Sequence, residues 1–150
     1  MEKQKNYNTY EITQEMLNKI PTPVFLQSWV MKVTADGSSA IAKVLFPSDH
    51  PDIASRWQVN VMSVLAWLWN MYAVRNQVTS GRGEVAANIR EIRALDRIPA
   101  NEELELSYSE KWSKGWFRWY IAELKDETGK LFMRLDVVSW PKSEDPAPWF

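Results

Sequence analysis

The chain has 150 residues, with 18 basic and 19 acidic side chains for a net charge of -1, and it has no cysteine. This composition excludes a thiolate nucleophile and a cysteine-based metal site, and it lacks the strong positive field that holds nucleic acid or anionic membranes. A domain of this size buries about 68–70% of its unfolded surface, enough for a core without disulfide or metal.

The opening MEKQKNYNTYE lacks the apolar centre of a signal peptide. The longest apolar run, Val61 to Val74, is interrupted by Ser63 and Asn70 and falls short of the ~20 residues that span a bilayer. The expectation is a soluble, cytoplasmic protein with no membrane or nucleic-acid partner. Nine tryptophans predict a well-filled core or subunit interface, the alternative being an aromatic-lined pocket.

In chain order, TQEMLNKIP (13–21) predicts a short helix capped by Thr13 and stopped by Pro21 and Pro23. VFLQSWVMKVTADGSSAIAKVLF (24–46) predicts two antiparallel strands joined by a turn at Ala35-Asp36-Gly37. A polar loop, FPSDHPDIASRW (46–57), leads into a helix from about Gln58 to Gln77. That helix is apolar almost all the way round and so predicts burial.

After the turn residues TSGRGE come four strand-like runs: VAANIREIRAL, ELELSYSEKW, GWFRWYIAELK and KLFMRLDVVSW. LELSYSE alternates apolar and polar residues as a half-buried strand does, and Asp126 to Gly129 makes a tight turn. Gly81-Arg82-Gly83 lacks the strand-to-helix context of a phosphate loop and reads as a turn. Arg90, Arg93 and Arg97 alternate with Glu91 and Asp96 as a solvated face or a dock for an acidic carrier. The predicted plan is α+β, an antiparallel sheet around one central helix, with a single domain over 1–140 and a proline-rich tail over 141–150.

Three phrases carry a resemblance. EMLNKIPTPVFLQSWVMKV, AIAKVLFPSDHPDIASRW and NIREIRALDRIPANEELELSY resemble, in order and at suitable spacing, the 3-hydroxyacyl-(acyl carrier protein) dehydratases of the hot-dog fold. The resemblance implies a curved antiparallel sheet wrapped around a long buried helix. It also implies a histidine in a "G-H-F-P-G" motif that takes the α-proton, and an acid on the central helix of the partner subunit. Here Ser55-Arg56-Trp57 stands at "G-H-F", so Arg56 occupies the histidine position, and no Asp or Glu occurs from Ile53 to Gly83. An arginine stays protonated and cannot act as a general base, which removes a proton-transfer contribution of roughly 10²- to 10⁴-fold.

The candidate catalytic residues are therefore His50 and Arg56. His50, with Asp49 or Asp52 to orient it, reads as a displaced base or as a plain loop residue. Arg56 reads as an anchor for a carboxylate, phosphate or thioester oxygen, or as an interface ion pair. Trp57, Asn60, Ser63 and Trp67 are the candidate substrate-binding residues, and no metal or cofactor is expected.

The resemblance implies an acyl thioester ligand, carried on acyl carrier protein or coenzyme A, in fatty acid or polyketide synthesis. It also implies a degenerate or partner subunit, in a homodimer or in a heterodimer with an active hot-dog paralogue. The alternatives are a hot-dog thioesterase or isomerase with non-standard catalytic residues, and a non-enzymatic module for a small apolar ligand.

Overall fold

In the computed structural model, residues 9–12, 30–34, 38–49, 59–78, 84–114 and 117–141 are described. The logic of the sheet is plainest in strand β5 (Glu103–Lys114), where Leu104, Leu106 and Tyr108 are buried and Glu105, Ser107 and Ser109 lie between them. Side chains alternate across a strand, so this spacing gives one dry face and one polar face.

The neighbouring strands β3 (Ser39–Leu45), β6 (Phe117–Lys125) and β7 (Leu131–Pro141) repeat the pattern in register. One inner row runs Ala42, Leu106, Leu124, Met133, and the next runs Ala40, Tyr108, Ala122, Leu135. Strand β4 (Glu84–Ala94) pairs with β7 through two irregularities, while β1 (Thr9–Ile12) and β2 (Val30–Thr34) extend the sheet beyond β3. The seven strands are ordered β1-β2-β3-β5-β6-β7-β4, and every pairing is antiparallel.

Helix α1 (Val61–Val78) contains no glycine or proline and supplies the other half of the core. Val64, Leu65, Trp67, Leu68 and Met71, at helical spacing, join the inner faces of the strands in one buried cluster. Met62, 65% exposed, and Ala66 lie one turn apart on a stretch of the helix that this chain leaves open. The architecture is the expected α+β plan, with the five strands β3-β5-β6-β7-β4 disposed around the one long helix among the described residues.

Strands β3 to β7 and the helix lie where the sequence puts them, within a few residues, and β2 falls within the first run expected over 24–34. Strand β1 is an addition: NTYEIT holds β-forming residues, but four residues are too few for alternation to signal a strand. The short helix expected over 13–21, the turn at 35–37 and most of the tail lie outside the described residues.

Candidate functional site at the helix entrance

Strand β3 delivers the chain to Phe46, which is fully buried, and then to a turn at Ser48 and Asp49. The chain returns at Val59, whose N–H donates to the Ile98 carbonyl at 3.0 Å, and it enters α1 through Asn60. Asn60 caps the helix: its Oδ1 accepts from the Met62 N–H at 3.0 Å and its carbonyl accepts from the Ser63 N–H at 2.9 Å.

The departure of the chain from β3 is held from the same side as its return. Asn101 donates its backbone N–H to the Phe46 carbonyl at 2.8 Å. Its side-chain amide accepts from the Ser48 N–H at 3.0 Å and donates to Ser48 Oγ at 2.7 Å. The stretch preceding these anchors is itself tied down. Leu95 N–H donates to the Phe132 carbonyl at 2.8 Å, and Asp96 meets Lys130 at 2.7 Å. The hydrogen bond from Lys130 holds the Asp96 carboxyl below its ordinary range.

Of the sequence-derived candidates, His50, Arg56 and Trp57 lie outside the described residues. Asn60 is exposed and spends its side-chain oxygen on the helix cap; Ser63 is half-buried on the next turn. Trp67 is fully buried within the core cluster. The structure thus places Asn60 and Ser63 together at the entrance and Trp67 further along the same helix. Among the described residues, no group of three or more His, Cys, Asp or Glu is arranged to hold a metal ion.

A second polar group stands on the inner face of the sheet, and the sequence reading passed over it. The inward alternation of β5 continues one step past Tyr108 to Glu110, which lies opposite Tyr120. Arg118, two residues before Tyr120, faces the same way and stands opposite the buried Ser139. Glu110 and Arg118 approach to 3.8 Å with less than a fifth of either side chain exposed, beside the edge-on Tyr108–Tyr120 pair at 5.5 Å. The signal was available in LELSYSE, because extending its period by one step turns a carboxylate inward. Although α1 itself carries no acid, the inner layer does hold one, supplied by a strand.

No protein-family model matches the chain, and no curated protein does. Solved structures do. A thioesterase superfamily protein aligns with a TM-score of 0.61 at 16% identity, over 77% of this chain and 54% of that one, so this chain spans about half the length of that protein. A Streptococcus mutans protein bound to acetyl CoA aligns with a TM-score of 0.64 at 8% identity, over 83% of this chain and 94% of that one. An acyl-CoA hydrolase from Staphylococcus aureus, in complex with butyryl coenzyme A, aligns with a TM-score of 0.62 at 12% identity, over 74% and 67%. With the helix, the strand order and these likenesses together, the chain has the hot-dog fold.

Proposed function

We propose that this chain binds acyl thioesters of coenzyme A at the helix entrance and hydrolyses them with non-standard residues. The observation that carries this reading is the match of fold to an acyl-CoA hydrolase and to a protein bound to acetyl CoA. A base that activates one water suffices to attack the thioester carbonyl; the C–S bond then breaks and the thiolate takes a proton. His50 is the proposed base and Arg56 the proposed anchor for phosphate or for the thioester oxygen. Trp57 and Ser63 are the proposed apolar and polar lining, with Trp67, fully buried in the core, packed further along the helix.

Strand β4, an 11-residue edge with no second neighbour among the described residues, is the proposed pairing surface for a second copy. The open helix stretch at Met62 and Ala66 supports a partner subunit as well.

The second reading is the dehydratase-like subunit that works on acyl carrier protein, alone or beside an active paralogue. The three sequence phrases favour it. Arg56 at the base position and the absence of Asp and Glu from Ile53 to Gly83 weigh against it.

Free-thiol release from a short acyl-CoA and dehydration of a 3-hydroxyacyl thioester separate the two readings. The expected outcome is thiol release by the wild type, lost in His50→Ala and shifted to higher KM in Arg56→Ala. Dehydration without thiol release would put the dehydratase reading first.

A further inference from the structure

We infer that the tip of the β5–β6 hairpin is a peripheral docking surface for an anionic lipid bilayer, with Trp112 and Phe117 entering the interface and Lys111 and Lys114 meeting the headgroups. The tip lies at the end of β5 away from the helix entrance, since β5 begins at Glu103, opposite Leu45, and ends at Lys114, opposite Phe117. Strand β3 stops pairing at Ser39, opposite Ser109, and the hairpin runs on beyond it. Four consecutive residues, Lys111 to Lys114, are exposed there on both faces of the strand.

A strand end open to water on both faces has no core to fill, yet this one carries large rings. Trp112 is 47% exposed and Phe117 45%. Both fall on the outer face with Trp119, because Trp112 stands opposite Trp119 and Lys114 opposite Phe117. Trp112 and Trp119 meet edge to face at 6.5 Å. Lys111, the extra residue of the irregularity after Glu110, and Lys114 flank these rings. Among the described residues no carboxylate pairs with either lysine, and Glu110 is turned inward to Arg118.

A second copy of the chain fits this edge poorly. Antiparallel pairing of Lys111–Lys114 with itself sets Lys111 against Lys114 of the other copy, and like charges directly opposite destabilise a strand pair. A protein partner needs more surface than the tip offers. A standard complex buries about 800 Å² per partner, whereas two half-exposed aromatic side chains present no more than about 250 Å². A lipid interface needs no matching surface. Its headgroup layer accepts tryptophan, whose body is apolar and whose N–H is polar. Each lysine lays its methylene stem beside the rings, and its ammonium reaches lipid phosphate. The expectation of no membrane partner rests on net charge and on the lack of a spanning segment. A tip with two rings and two lysines needs no spanning segment, and its attraction acts within a Debye length of about 8 Å, where the charge of the rest of the chain is screened.

The test uses the full chain and vesicles of phosphatidylcholine with or without phosphatidylserine. Two double variants are compared with the wild type, Trp112→Ala with Phe117→Ala and Lys111→Gln with Lys114→Gln. Co-sedimentation gives the partition coefficient, quenching of tryptophan fluorescence by brominated lipid reports ring insertion, and sedimentation velocity without lipid reports self-association.

The wild type should partition onto phosphatidylserine vesicles at least about tenfold more strongly than onto phosphatidylcholine alone. Removing the rings should weaken partition by about tenfold or more and remove most of the quenching. Removing the lysines should weaken it by about tenfold and erase the preference for phosphatidylserine. Both variants should melt within a few degrees of the wild type, because the side chains removed are exposed. A wild type that partitions onto neither vesicle, or partitions no better than the ring variant, would overturn the proposal. Self-association without lipid that the ring variant loses would make the tip a protein interface and overturn it as well. Should the ring variant fail to fold, the lysine variant carries the same readouts.

Discussion

The two faces of the sheet share a backbone and differ in almost everything else. The inner face, from Ala40 through Leu106, Tyr108, Ala122 and Leu124 to Leu135, is dry and continuous with Val64, Trp67, Leu68 and Met71 of the helix. The outer face carries mostly serine, glutamate, lysine and arginine, with Ile41 exposed among them, and it has an enclosed spot. There Ile121 is 4% exposed and stands opposite Asp136, and Asp136 Oδ1 and Trp119 Nε1 are both shut off from water without a hydrogen-bond partner. The inner face therefore carries most of the stability, and the outer face can be rewritten at little cost except at that spot. The inner face also tolerates polarity at one end only, where Glu110, Arg118 and Ser139 sit together.

The sharpest way to break this contrast is a charge on the inner face. Leu106→Asp should cost more than about 4 kcal/mol and abolish the cooperative melt, because no cation lies opposite to pair it. A Leu106→Asp protein that melts like the wild type would contradict the assignment of faces. Leu124→Ala, which removes volume without adding charge, should cost about 2–5 kcal/mol in a denaturant titration. At the outer spot the sign reverses. Asp136→Val should stabilise by about 1 kcal/mol, since an enclosed carboxylate oxygen without a partner is lost and a β-branched side chain packs on Ile121. Smallest of all, Lys43→Ala breaks an exposed pair with Glu103 at 3.2 Å and should change stability by less than about 0.5 kcal/mol.

Acid should sharpen the contrast further, because the groups with lowered pKa lie at the surface turns. The Thr128 side chain and the Thr128 and Lys130 amides all donate to Asp126, and they hold its carboxyl below the ordinary 3.8. A group depressed in the folded state contributes stability above its unfolded value and loses it as pH falls through the folded value. Thermal melts from pH 7 downward should hold level until about pH 4 and decline below it, with a smaller decline in Asp126→Asn. A decline already present near neutral pH in both proteins would contradict this account.

Much of the fold was legible because period and composition report which face a residue takes. LELSYSE announced β5, and a charge-free apolar run announced the buried helix. What escaped did so for physical reasons. β1 is too short to display a period, and the sheet order depends on pairings between distant strands. Glu110 sits inward at the end of a readable alternation that was not carried one residue further. The hydrogen bonds between Asn101 and Ser48 join positions 53 apart, so the sequence around Asn101 carried no hint of its partner. At the site, Asn60 and Ser63 read from the sequence as candidate substrate-binding residues. That Asn60 is the helix cap follows only from its place before Val61, where its side chain meets the Met62 amide.

The central claim, that the helix entrance receives acyl thioesters of coenzyme A, is tested most directly by calorimetric titration of the wild type with a non-hydrolysable thioether analogue of a short acyl-CoA, free coenzyme A and the free acid. The predicted result is saturable binding of one analogue per chain, at least about tenfold tighter than either fragment, because the acyl and coenzyme A contacts are made together. Equal binding of all three, or no saturable heat at about millimolar ligand, would contradict it.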